Sequence, residues 1–167
     1  MFDPALLARA TGLLAHLRAR QLMLVTAESC TGGLIAGLFT EIAGASDVID
    51  RGFVTYSNEA KTALLGVPAT TLASVGAVSL ETAIAMAEGA LARADANASG
   101  SIAVAVTGVA GPGGGSAEKP VGLVHIAAAR TGRTTLHREC RFGEIGRHEV
   151  RMATVVAALD VIAEMMA

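Results

Sequence analysis

Residues 23–34 read Met-Leu-Val-Thr-Ala-Glu-Ser-Cys-Thr-Gly-Gly-Leu. Met23 to Ala27 is a short apolar run that predicts a buried strand. From Gly32 to Glu41 the chain is again apolar and long enough for a helix. Glu28 to Gly33 is therefore a sharp strand-to-helix turn carrying polar side chains. Such a turn places side chains near the unpaired N–H groups and positive end of the helix that follows.

The same alternation continues on both sides. Asp3 before Pro4 is a helix start, an N-cap acceptor followed by a residue with preset φ. Leu6, Ala10, Leu13, Leu14 and Leu17 then repeat at helical spacing, predicting a helix over 4–20. Gly52 to Tyr56 reads as a second strand. Ser57 caps a helix through Asn58, Lys61 and Leu65, ending near Gly66. A short helix is expected over 68–75 and a longer one from Ser79 to about Ala96. Residues 101–107 (SIAVAVT) predict a buried strand, followed by a glycine-rich loop over 108–120. Val121–Ala129 and Arg133–Phe142 predict two strands joined by a turn at Thr131-Gly132. Glu149–Met166 predicts a final amphipathic helix. No repeat and no linker divides the chain. The pattern predicts one α/β domain over residues 1–167, with three layers. Its mixed, mostly parallel sheet lies between helical layers, with a β-hairpin late in the chain.

Composition narrows the function. The 167 residues are 52% hydrophobic and 17% charged, which argues for a packed core and against disorder. Thirteen basic and fifteen acidic residues give a net charge of −2, and tryptophan is absent. Such a chain lacks the basic face and stacking rings of a nucleic-acid binder. The N-terminus has neither the basic region nor the apolar core of a secretory signal, and no apolar stretch is long enough to span a bilayer. A cytoplasmic protein is expected, with no membrane or nucleic-acid partner. Cys30 and Cys140 are too few and too far apart for a disulfide scaffold. The four histidines are scattered, so neither metal nor cofactor is predicted. Alanine-rich helices suggest packing between copies in a homo-oligomer.

In open α/β sheets ligands bind at the carboxyl ends of strands, and three loops there carry unusual residues. In the first, Ser29 is a candidate nucleophile, or else Ser29 or Thr31 merely caps the helix. The N–H groups from Cys30 through Thr31, Gly32 and Gly33 are candidates to hold an oxyanion. Cys30 is a rival nucleophile or a small buried hydrophobe. In the second, Lys61 can serve as base if desolvation lowers its pKa; the alternative is an ordinary surface lysine. Only Lys61 and Lys119 are lysines, the other basic residues being arginine. Tyr56, the only tyrosine, either orients Lys61 or relays a proton, or is a core aromatic. In the third, Thr107, Gly108, Gly111, Gly113 and Gly114 leave N–H groups free to face an anion, or form a mobile surface loop. Arg147 and Arg151 share one helix face. They suit a phosphate or pair with Glu144 or Glu149.

Taken in order, TAESCTGG (26–33), RGFVTYSNEAK (51–61), GAVS (76–79) and TGVAGPGGGSAEKPVG (107–122) resemble the CinA C-terminal domain, the nicotinamide-nucleotide amidohydrolase family. The resemblance covers about residues 5–165. It implies hydrolysis of the carboxamide of nicotinamide mononucleotide to nicotinic acid mononucleotide and ammonia, without a cofactor. Ser29 matches the family's nucleophile, Lys61 its base and Tyr56 its motif tyrosine. Asn58 lies in the same motif and is expected to bind substrate. Thr107 and Gly111–Gly114 match its ligand loop. The late arginine segment is matched loosely over 143–151, with Arg147 and Arg151 expected on the ribose phosphate. Longer CinA proteins carry a further N-terminal domain that this chain is too short to contain. The alternative is a non-catalytic nucleotide-binding module, regulatory in competence or DNA damage. A cysteine hydrolase using Cys30 is a third reading.

Overall fold

The computed structural model describes residues 2–94 and 100–167. In chain order the elements are α1 (Pro4–Ala19), β1 (Met23–Glu28), α2 (Leu34–Thr40), a 3-10 turn (Ala45–Asp47), β2 (Ile49–Val54), α3 (Asn58–Leu65), α4 (Ala69–Val75), α5 (Leu80–Leu91), β3 (Ser101–Gly108), β4 (Leu123–Arg130), β5 (Leu136–Arg141) and α6 (Arg147–Met166). They form a single α/β domain around one five-stranded sheet of order β2-β1-β3-β4-β5.

Alternation along the strands divides the core into two layers. Ile102, Val104 and Val106 of β3 face one side, with leucines of α1, Phe39 of α2 and the apolar stripe of α6. Ala103 and Ala105 face the other, with Met86, Ala87 and Ala90 of α5 and Leu65 at the end of α3. The second face is built mostly of alanine, which lets α5 lie close to the sheet. Gly89 extends that closeness to α3: a Cβ there would collide with the Leu65 carbonyl oxygen.

The caps read from the sequence form. Asp3 accepts from Leu6 N–H at 2.9 Å, Ser57 from Ala60 N–H at 3.0 Å, and Ser79 from Thr82 N–H at 3.2 Å. Gly66 closes α3 with φ +71°, a conformation that favours glycine.

The sheet is mixed, but it is not mostly parallel. β1 pairs in parallel with β2 and β3, whereas β3–β4 and β4–β5 are antiparallel. A parallel return needs a crossover, usually helical. The glycine-rich segment between β3 and β4 forms none, so the chain turns straight back. Some boundaries also differ. β2 begins at Ile49, and its first residues include the polar Asp50 and Arg51, tolerable because β2 is an edge strand. α2 begins only at Leu34, because Gly32 and Gly33 take φ of +61° and +95°. The expected turn at Thr131-Gly132 forms, with Arg133 N–H donating to Arg130 O at 3.1 Å and Gly132 at φ +77°, but β5 begins only at Leu136 rather than at Arg133. Thr135 Oγ1 donates to Glu88 on α5 at 2.8 Å. α5 ends at Leu91, and the expected end near Ala96 lies outside the described residues. α6 starts at Arg147, two residues earlier than expected.

Candidate active site

β1, β2 and β3 run in parallel, so their carboxyl ends share one edge of the sheet. Ser29 follows β1 directly and is tied to β3 by its N–H, which donates to Val106 O at 3.0 Å. The turn beyond it is held from two sides. The buried Glu28 carboxylate accepts from the N–H groups of Gly33 and Ile35 at 3.0 Å each and of Ala36 at 2.9 Å. Gly32 N–H donates to Ser29 O at 3.1 Å. From α6, Arg151 donates to Cys30 O at 3.2 Å and to Thr31 O at 2.7 Å. The N–H groups of Gly32 and Gly33 are thus engaged. Those of Cys30 and Thr31 meet no oxygen acceptor among the described residues.

α3 brings Lys61 to the same place. Its Nζ lies 3.0 Å from Ser29 Oγ and donates to the Thr55 carbonyl at 2.7 Å. Lys61 is 1% exposed, against the usual solvated state of lysine. No carboxylate forms an ion pair with it among the described residues. Burial holds its pKa below the ordinary lysine value, because desolvation penalises the ammonium. A Cys30 thiolate would oppose that shift, but burial pushes the Cys30 thiol up to about 12. The thiol therefore stays protonated at neutral pH and is a poor nucleophile.

Ser29, Cys30 and Lys61 open into a cleft of about 280 Å³. Thr107, Gly108, Gly111, Gly113 and Gly114 form its opposite wall, and Tyr56 and Arg147 also line it. Arg147 donates to Gly111 O at 2.8 Å and to the Tyr56 hydroxyl at 2.9 Å. Tyr56 is 61% exposed. It is therefore no core aromatic, and its hydroxyl meets Arg147 rather than Lys61. Thr107 donates to Ala77 O at 2.7 Å, which fixes the β3 end against the segment before α5. Gly108 has no room for a Cβ, which would approach Val124 Cγ2 to 2.6 Å.

Five of the residues expected to contribute lie off this cleft. Thr31, Gly32, Gly33 and Arg151 build the turn behind Ser29, and Asn58 lines a separate, exposed groove of about 560 Å³ over α3 and α4. Neither arginine pairs with Glu144 or Glu149. Glu28 and Thr55 are additional partners around Ser29 and Lys61, and Ala77 and Val78 add to the lining. Glu28 carried a signal of its own, a carboxylate at the end of an otherwise apolar strand. The Thr55 carbonyl carried none, being backbone. His125 and His137 stand 3.0 Å apart on neighbouring strands. No group of three or more His, Cys, Asp or Glu residues among the described residues is arranged to hold a metal.

Fold and site together define an α/β domain in which a hydroxyl and a desolvated amine touch at the carboxyl edge of the sheet. The CinA C-terminal domain matches residues 8–166, and the chain belongs to that family. Over 147 residues it is 48% identical to the nicotinamide-nucleotide amidohydrolase PncC of Escherichia coli K12, covering 87% of this chain and 86% of that protein. A CinA-like protein of Akkermansia muciniphila is 53% identical over 123 residues, 74% of this chain but 29% of its own length. The chain spans about a third of the length of such longer relatives. Among solved structures, the competence/damage inducible protein CihA of Agrobacterium tumefaciens superposes with a TM-score of 0.95. It is 54% identical, covering 100% of this chain and 99% of that one.

Proposed function

We propose that the protein hydrolyses the carboxamide of nicotinamide mononucleotide through a Ser29–Lys61 dyad. The observation that carries this reading is the 3.0 Å contact between Ser29 Oγ and a buried Lys61 that has no carboxylate partner among the described residues. The substrate follows from the amidohydrolase of E. coli that matches most of the chain.

Neutral Lys61 accepts the Ser29 proton, and the Thr55 carbonyl keeps its Nζ oriented meanwhile. Ser29 Oγ attacks the amide carbon. The N–H of Cys30, a residue that lines the cleft, faces the developing oxyanion; removing such a donor typically costs about 2.7–4 kcal/mol. Lys61 returns the proton to the departing ammonia. A water then attacks the acyl-serine with Lys61 again as base, releasing nicotinic acid mononucleotide and free Ser29. Arg147 and the 107–114 loop receive the ribose phosphate, and Tyr56 holds Arg147 in place. No metal or cofactor takes part. The protein works in the cytoplasm, as a homo-oligomer.

Ammonia release from the mononucleotide tests the reading. Ser29→Ala and Lys61→Ala are each expected to abolish it while keeping the circular dichroism of the fold. Turnover persisting in either variant overturns the dyad. A wild type that binds the mononucleotide but releases no ammonia favours a nucleotide-sensing regulatory module instead.

A further inference from the structure

Two loop segments contribute to the lining of the cleft, 77–78 and 109–114. The first is held by its backbone oxygens and those just before it. Val75 O accepts from Lys119 Nζ, Gly76 O from Thr82 Oγ1 at 2.8 Å, and Ala77 O from Thr107 Oγ1 at 2.7 Å. Thr82 and Thr107 are buried residues of α5 and β3. Of these three donors Lys119 alone comes from a loop, and it is the loop that carries the second segment.

Lys119 is presented from a closed turn. Its N–H donates to Ser116 Oγ at 3.0 Å, and its carbonyl accepts from Ser116 N–H at 2.9 Å. Ser116 Oγ in turn donates to the Glu118 carboxylate at 3.0 Å. Lys119 itself forms no ion pair among the described residues. Its ammonium sits at the end of α4, where a cation meets the unpaired last carbonyls of a helix. The fit there is close: a Cβ on Gly76 would stand 3.0 Å from Lys119 Nζ. Lys119 does not line the cleft. It lines a second cavity, of about 460 Å³, together with Val75 and Val78. Val78 borders both cavities, so the lysine stands behind a residue of the cleft's lining and acts on the cleft through the segments it joins.

We propose that Lys119 is a positioning residue for the mononucleotide: it latches the glycine-rich loop to the 75–78 segment and so fixes the spacing of two parts of the cleft lining, without touching substrate. The inference rests on the amidohydrolase reading above and adds to it a residue remote from Ser29 and Lys61. A lining that holds bound substrate and transition state alike moves KM and leaves kcat.

The experiment compares wild type, Lys119→Met and Lys119→Arg in two measurements. One is steady-state ammonia release from nicotinamide mononucleotide. The other is amide hydrogen exchange of the free protein. Two amides report on the latch, one from each side: Gly76 N–H donates to Leu72 O at 3.1 Å, and Ser116 N–H to Lys119 O. Methionine keeps an apolar stem and removes the donor.

Lys119→Met is expected to raise KM about tenfold, the worth of one hydrogen bond to a charged group, with kcat within about twofold of wild type. The amides of Gly76 and Ser116 should exchange faster in this variant, while those of β1 keep their wild-type rates. Lys119→Arg, which keeps a cationic donor, gives a smaller rise in KM and carries the comparison if the methionine variant fails to fold. A raised KM with exchange at Gly76 and Ser116 unchanged would make Lys119 a substrate ligand and overturn the proposal. Faster exchange with KM and kcat both unchanged would make it a helix cap and nothing more, which overturns the proposal equally. A loss confined to kcat would do the same. A wild type that releases no ammonia defeats the amidohydrolase reading, and this inference with it, whatever the exchange shows.

Discussion

Glu28→Gln probes the turn that follows Ser29. Glu28 Oε2 accepts from Gly33 and Ile35, and Oε1 from Ala36, all at 2.9–3.0 Å. Glutamine keeps one oxygen. If that oxygen stays on Gly33 and Ile35, its NH₂ faces the Ala36 N–H, donor against donor. The lost bond to a charged acceptor is worth about 1.5–3 kcal/mol. The two survivors fall from charge-assisted to neutral, roughly halving each, or about 2 kcal/mol more. Removing a buried carboxylate gives back part of this, since a charge out of water is costly. The balance is a loss of about 2–3 kcal/mol. For a chain of this size each kcal/mol moves Tm by about 2–4 °C, so thermal unfolding should come about 5–10 °C early. Circular dichroism melts measure the shift. Hydrogen exchange locates it: the amides of Ile35 and Ala36 should lose protection before those of β3. A Glu28→Gln protein melting within about 1 °C of wild type would refute the cap as a stabilising element.

Lys61 imposes a cost that the proposed role as base requires. Below its lowered pKa the amine is charged in both folded and unfolded chains, and the burial penalty is present in full. It fades as pH rises through the folded pKa toward the ordinary value of 10.5. Lys61→Met should therefore raise Tm at neutral pH while abolishing ammonia release, and the stability gap should narrow in melts at alkaline pH. In the wild type, kcat/KM should rise with pH along a single ionisation lying below the ordinary lysine range; a flat profile from pH 6 to 9 would count against a lysine base. Cys30→Ala should keep turnover close to wild type and cost about 1 kcal/mol in urea denaturation, and iodoacetamide at pH 8 should leave Cys30 unmodified in the native wild type. Gly89→Ala should destabilise by about 1–3 kcal/mol, because the added methyl meets the backbone at Leu65 rather than a movable side chain.

Local chemistry was legible wherever it acts over a few residues. Asp3-Pro4, Ser57 and Ser79 set helix starts by reaching the next turn, and Gly66 closes α3, so those boundaries followed from neighbouring residues. The three loops singled out at strand ends share one edge of the sheet, because β1, β2 and β3 run in parallel. What escaped reading depends on contacts remote in sequence. Asp50 and Arg51 hid the start of β2, since edge position is a property of the sheet. The antiparallel return of β4 is set by what the glycine-rich loop does not contain. Arg147 and Arg151 share a face by spacing, yet they diverge because one meets Gly111 and Tyr56 and the other meets Cys30 and Thr31. Asn58 sits beside the lysine in sequence but projects into another groove. Spacing on a helix says which residues share a side, but not what stands opposite them.

The hairpin-like turn from β3 to β4 frees the 109–122 segment from any duty as a crossover. Its first part, from Val109 to Gly114, lines the cleft, and the strands beneath it are already paired with their neighbours. Lengthening or re-lettering the stretch between Gly113 and Pro120 would change which molecules are admitted while leaving the scaffold's melting behaviour nearly untouched. Selectivity and sturdiness are thus written on separate parts of the polypeptide, and an engineer could vary the first without disturbing the second.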